Sequence, residues 1–185
     1  MRVISGTAKA TKLETLETLD TRPTLDRVKE ALFNIIQTKI CDSAVLDLFS
    51  GSGSLGIEAL SRGAKKAVFC DNSKEAYNII KKNLNKTKLE TKAIVFNKNY
   101  DECLNVLKEK FDIVFLDPPY NTNLVINAIS KIIENDLLSN DAIIIAETDS
   151  EEKIIAEITN IKMQVYDIRK YGKAKLVFLK RKEQE

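Results

Sequence analysis

The chain has 185 residues, 44% of them hydrophobic and 30% charged, which suits one soluble globular domain with its own core and excludes a disordered tail. There is no histidine, which excludes Ser–His catalysis and every His-based metal site, and the three cysteines, Cys41, Cys70 and Cys103, form no CxxC pair and read as small buried residues of a reducing compartment. The net charge of +2 is unevenly spread: residues 1–40 hold seven basic and five acidic side chains, residues 41–161 fourteen and nineteen, residues 162–185 eight and three.

Phosphate-binding surfaces need clustered cations, so the basic ends are the candidates for touching nucleic acid, with simple solubility as the alternative. The N-terminus lacks a signal-peptide core and no apolar run reaches membrane-spanning length, so the expected location is the cytoplasm. Nothing demands more than a monomer.

Residues 1–20 alternate weakly and read as a β-hairpin or extended arm. From Leu25 the spacing changes: Leu25, Val28, Leu32, Ile35 and Ile36 recur at three and four residues, which predicts an amphipathic helix with Thr24 as N-cap and Pro23 at the boundary. Residues 1–40 therefore form an N-terminal extension and residues 41–185 the main domain. Beyond it, short apolar strands at Val45–Phe49, Ala67–Cys70, Ala93–Phe96, Ile113–Leu116 and Ala142–Ala146 alternate with helices. The helices are expected after the glycine-rich residues up to Gly63, over Ser73–Asn85, Cys103–Lys108 and Leu124–Glu134, and over Glu151–Ile158. The runs Met163–Arg169 and Ala174–Lys180 flank Tyr171-Gly172-Lys173 and close the chain as a hairpin. The pattern predicts an α/β, Rossmann-like domain with a mostly parallel sheet ending in an antiparallel hairpin, its chemistry beyond the carboxyl ends of the strands.

Two motifs fall at those ends. Asp47-Leu48-Phe49-Ser50-Gly51-Ser52-Gly53-Ser54-Leu55-Gly56 gives a loop whose backbone can approach a ligand closely. Its Gly51-x-Gly53-x-x-Gly56 spacing, with Asp71 ending the next strand, fits either NAD or S-adenosylmethionine, since a carboxylate at Asp71 can accept both ribose hydroxyls. Asp47 favours the second, because it would repel a pyrophosphate and can attract the cationic amino-acid end of S-adenosylmethionine; the alternative is that it caps a turn. The second motif, Asp117-Pro118-Pro119-Tyr120, follows the fourth strand directly. Two prolines remove two backbone donors and fix a rigid loop whose carbonyls are free to accept. Asp117 and the Pro118 carbonyl suit the two N–H bonds of a base amino group, which gains positive charge as it attacks a methyl group, and Tyr120 offers a ring for stacking.

Asp-Pro-Pro-Tyr downstream of Asp-x-Phe-x-Gly-x-Gly resembles the amino-group methyltransferases of nucleic acids. The stretch Arg22-Pro23-Thr24-Leu25-Asp26-Arg27-Val28-Lys29-Glu30-Ala31-Leu32-Phe33-Asn34-Ile35 is similar to the N-terminal signature of the RsmD family, guanine-N2 methyltransferases of small-subunit (16S) ribosomal RNA. Met1–Gly6 and Leu55–Ala64 are similar too, and the resemblance runs over essentially the whole chain. It implies a class I methyltransferase fold with a seven-stranded sheet, and S-adenosylmethionine as cofactor. It implies that Arg22, Pro23 and Thr24 border the cofactor pocket, that Asp47, Gly51 and Gly53 hold the methionine portion and Asp71 the ribose, that Phe49 also binds the cofactor, and that Asp117, Pro118, Pro119 and Tyr120 hold the flipped guanine. Arg2, Lys9, Lys12, Arg27 and Lys173 would meet RNA on an assembled or assembling small subunit. One departure stands out: Lys98-Asn99-Tyr100 occupies the place where the family carries Gly-Asp-Ala, so Asn99 replaces the acid expected on the cofactor's adenine, with Asp101 as a substitute if the loop shifts. Adenine-N6 or cytosine-N4 methylation, on RNA or DNA, remains an alternative, and an NAD-dependent oxidoreductase or a non-catalytic RNA-binding scaffold are remoter ones.

Overall fold

A computed structural model describes residues 1–16, 23–118, 122–158, 161–172 and 174–182. The chain builds one seven-stranded sheet between two layers of helices. The strands are β1 (Ala44–Leu48), β2 (Lys66–Asp71), β3 (Ala93–Asn97), β4 (Phe111–Leu116), β5 (Leu138–Thr148), β6 (Met163–Tyr171) and β7 (Ala174–Arg181). The helices are α1 (Pro23–Ile35), α2 (Gln37–Ile40), α3 (Ser54–Ser61), α4 (Lys74–Thr87), α5 (Tyr100–Val106), α6 (Thr122–Glu134) and α7 (Glu151–Ile158). The spatial order is β3-β2-β1-β4-β5-β7-β6, with β1 to β5 parallel and β7 antiparallel to both its neighbours. The order reverses between β1 and β4, which opens a crevice at their carboxyl ends.

Each strand feeds both layers because successive side chains point to opposite faces. Leu46, Val114, Ile144 and Val177 pack with Leu104 of α5, Ile129 of α6 and Ile154 of α7. Val45, Ile113, Ile143 and Phe178 pack on the other face with Phe33 of α1, Ile57 of α3 and Ile80 of α4. The described residues before β1 join this second layer, where Val3, Ala8, Leu13, Val28 and Ile40 share its core.

The N-terminal arm is a minimal hairpin, with one bridge between Arg2 and Lys12. Glu58 on α3, fully buried, pins it by accepting the backbone N–H groups of Ile4 (2.7 Å) and Ser5 (3.0 Å). Arg62 (2.7 Å) and the buried Lys29 (3.5 Å) balance its charge, and Lys29 also donates to the Arg2 carbonyl at 2.6 Å.

Several boundaries differ from the sequence expectation. α1 starts at Pro23, so Thr24 is a first-turn residue and not the N-cap; proline is well placed there because a first-turn N–H has no helical partner anyway. α5 starts at Tyr100, earlier than Cys103, because Asn99 caps it by accepting the Glu102 N–H at 2.9 Å. β5 begins at Leu138, where Leu138 pairs with Phe111 and Ser139 donates to Asp112 at 2.7 Å; its polar opening residues hide that pairing from the hydrophobic pattern. Among the described residues, no helix is long and apolar enough to cross a membrane.

Candidate active site

The glycine loop joins β1 to α3. Phe49, Gly51 and Gly53 take φ values of 69°, 54° and 77°, a run of left-handed conformations that turns the backbone sharply. Gly56 is required for packing: a Cβ there would lie 2.3 Å from a ring carbon of Phe69 on β2. Asp71 holds the loop from the side, accepting the Gly51 N–H (2.8 Å) and the Ser73 N–H (2.9 Å), one on each oxygen. Each oxygen keeps a second lone pair on a half-buried side chain.

Asp47 lies beneath the loop, 2% exposed, and accepts the Gly56 N–H at 2.9 Å. Burial pushes its carboxyl up to about 7; the Gly56 bond opposes this and the charge of Asp71 adds to it.

Asp117 leaves the end of β4. Its side chain keeps solvent access on the cleft side, yet the protein packed around it, and then the charges of Glu147 and Asp47, push its carboxyl up to about 8. Pro118 is buried. Asp117 shares a cleft with Glu147 over an apolar floor of Leu55, Phe115, Ile145 and Leu176, walled by Met1 and by Val28, Lys29 and Leu32 of α1. The alternation of the strands explains the grouping: Asp47, Asp117 and Glu147 continue the phase of Val45, Phe115 and Ile145 on one face of the sheet. Burial also raises the carboxyl of Glu147. Asp117 and Glu147 line the cleft, and Asp47 lies buried beneath the glycine loop on the same face of the sheet.

The other expected residues fall as follows. Asn99 is exposed, and its side-chain oxygen already caps α5; Asp101 faces Lys131 of α6 at 3.2 Å. The Phe49 ring meets Tyr100 with centroids 5.5 Å apart. Arg2, Lys9, Lys12 and Arg27 are all exposed. Arg22, Pro119, Tyr120 and Lys173, and the side chains of Pro23 and Thr24, lie outside the described residues. Among those residues no group of acids and cysteines is arranged to hold a metal ion.

A family model described as conserved hypothetical protein 95 matches residues 1–180. The ribosomal RNA small subunit methyltransferase D of Haemophilus influenzae is 44% identical over 161 residues, which span 84% of this chain and 82% of that protein. The chain belongs to the RsmD family. The Escherichia coli protein of the same name is 36% identical over 151 residues, spanning 82% of this chain and 76% of its own. Among solved structures, Escherichia coli yhhF superposes with a TM-score of 0.88 at 32% identity, covering 100% of this chain and 99% of that one. The ribosomal protein L11 methylase of Lactobacillus delbrueckii, at 18% identity and a TM-score of 0.77, shares the fold, covering 95% of this chain and 88% of its own.

As a member of the RsmD family the chain carries the methyltransferase sheet, with its antiparallel hairpin at β6 and β7. Two residues of its cleft escape a motif-based reading. Glu147 belongs to no motif; its signal was a charge continuing the inward phase of Ile143 and Ile145 to the end of β5. Lys29 stands in the Arg22–Ile35 stretch with no role assigned from the sequence, and in the structure it is buried against the arm, donating to the Arg2 carbonyl.

Proposed function

We propose that the protein transfers the methyl group of S-adenosylmethionine to the exocyclic N2 of a guanine in small-subunit ribosomal RNA. The observation that carries this reading is that Asp117, directly before Pro118, shares a cleft at the ends of β4 and β5 with Glu147, and that Ser54 and Leu55, which follow the glycine loop at the start of α3, line the same cleft. The residues suit the cofactor. Gly51 has open space where a Cβ would stand, Asp71 keeps lone pairs for ribose hydroxyls, and the carboxyls of Asp47 and Asp117, held near neutrality, gain from a neighbouring positive charge. Arg22, Pro23, Thr24 and Phe49 would border the methionine portion with Gly53, and Asn99 the adenine. Asn99 keeps an amide N–H to donate to a ring nitrogen, in place of the acceptor that an acid would supply.

When bound, the cofactor supplies an electrophilic methyl group on a cationic sulfur. Asp117 and the Pro118 carbonyl accept the two N–H bonds of the target amine, which turns its lone pair out of conjugation with the ring. Methyl transfer would break the sulfur–methyl bond and release the cofactor as a neutral thioether, and Asp117 would accept the proton that the methylated nitrogen then sheds and pass it to solvent at the cleft mouth. Tyr120 stacks on the flipped base. Arg2, Lys9, Lys12, Arg27 and Lys173 hold RNA phosphates.

The test is to incubate the protein with cofactor labelled in its methyl group and with small subunits from a strain lacking the gene, naked ribosomal RNA or DNA. The label should appear as N2-methylguanosine in ribosomal RNA. Label in N6-methyladenine or N4-methylcytosine would keep the enzyme class and overturn the base assignment. Label in DNA alone would overturn the substrate.

A further inference from the structure

Adenine, cytosine and guanine all offer an exocyclic amino group, and the Asp117–Pro118 arrangement treats the three alike. They differ in the ring atoms beside that amine. The amine of adenine has the N1 lone pair on its Watson–Crick side and that of cytosine the N3 lone pair, both acceptors. In guanine, N1 carries a hydrogen and donates. A carboxylate placed beside the group that holds the amine therefore separates guanine from the other two: it accepts N1–H from guanine and repels the lone pairs of adenine and cytosine.

The structure holds a carboxylate in that position. Leu116 of β4 and Ala146 of β5 are register partners in the parallel ladder, so Asp117 and Glu147 stand on the next rung, side by side on the same face. Both line the same cleft. Asp47 and Asp71 spend oxygens on backbone N–H groups of the glycine loop, whereas no hydrogen bond or ion pair among the described residues holds the carboxylate of Glu147. It is half-buried, above the apolar side chains of Ile145 and Leu176. With no partner among the described residues, that half-buried carboxyl has its lone pairs open to donors on a ligand in the cleft.

We infer that Glu147 is the residue that selects guanine, accepting its N1–H while Asp117 and Pro118 hold the N2 amine. The inference rests on the guanine-N2 reading above and gives that reading its specificity determinant.

2-Aminopurine separates the two ideas: it keeps the 2-amino group, replaces N1–H with a lone pair and lacks the 6-oxygen, and this last difference is common to the wild type and the variant compared below. Ribosomal RNA would be ligated with guanine or 2-aminopurine at the nucleotide that the wild-type enzyme labels, assembled into small subunits, and assayed for kcat/KM. The wild type should prefer guanine by on the order of 100-fold, the scale for losing a hydrogen bond to a charged group and facing it with a lone pair. In Glu147→Gln the side-chain amide can donate to N1 of 2-aminopurine, so the preference should fall to within about 5-fold. Comparing the two preferences cancels the difference in intrinsic reactivity between the bases. Equal use of both bases by the wild type, which needs no variant to fold, would overturn the role of Glu147 while leaving guanine-N2 methylation standing. An unchanged preference in Glu147→Gln would do the same. Failure of the wild type to form N2-methylguanosine at all would overturn the underlying reading and the inference with it.

Discussion

Asp71 binds the N–H groups of Gly51 and Ser73, so it both shapes the loop and presents the remaining lone pairs. Asp71→Ala should weaken cofactor binding by at least about 10-fold, the scale of one or two charge-assisted hydrogen bonds; unchanged affinity by calorimetry would place the ribose elsewhere. Asp117→Ala should keep cofactor binding within a few-fold and lose methylation by on the order of 100-fold or more, and turnover at the wild-type rate would remove Asp117 from the chemistry. The positions of Asp71 beside the loop and Asp117 at the end of β4 were legible in the sequence because glycine spacing and a Pro-Pro step leave a signature independent of the rest of the fold. The placements of Glu147 and Lys29 were not. Each depends on what a distant segment places opposite it: the neighbouring rung of β4 for one, the N-terminal arm for the other. The burial of Asp47 beneath the loop was equally out of reach, since its spacing fits a ligand contact and a turn-holding carboxylate alike.

The arm and α3 form one mechanical unit. Glu58 gathers two backbone N–H groups of the arm and two cations at a site with no access to water. Glu58→Ala leaves those backbone donors without their acceptor and the Lys29 ammonium without its carboxylate, and should destabilise the protein by about 3–5 kcal/mol, read from urea unfolding. Backbone amides of residues 3–13 should then exchange with solvent faster than those of β1. Equal protection in the variant and the wild type would show that the arm is held by its apolar side chains alone. From β1 onward strand and helix types were readable from periodicity, because the parallel strands are short apolar runs between amphipathic helices, whereas the four-residue α2 was too short to show a period. The ends were less so: Asn99 as a cap lengthened α5 backwards, and pairing with β4 drew polar residues into β5.

For the whole molecule, the crevice carboxyls tie stability to pH. The Asp47 carboxyl sits near 7 in the folded protein against an ordinary 3.8, so between those values the folded state holds a proton that the unfolded chain has lost. This contribution is fully present below about 4 and disappears as pH rises to about 7, at up to about 1.4 kcal/mol per pH unit. Asp117 and Glu147 shift in the same direction. The protein without cofactor should therefore lose stability between pH 5 and 8 in urea titrations, while stabilisation by added S-adenosylmethionine grows over that window as the carboxyls ionise against its positive charge. Stability that is level or rising across the window would refute the coupling. The order of the strands was less readable than their type, since β7 follows β6 in the chain but lies inside it in the sheet. That inversion sets an assembly order. Among the sheet pairings, β6 has only β7 as neighbour, and β7 alone covers the outer edge of β5. The β6–β7 turn can close within microseconds as a local event, and the hairpin then docks as a unit, delivering Leu176 and Phe178 to one core and Val177 and Leu179 to the other. A chain interrupted at Tyr171 therefore leaves Ile143, Ile144 and Ile145 on an open strand edge, a template for joining other chains.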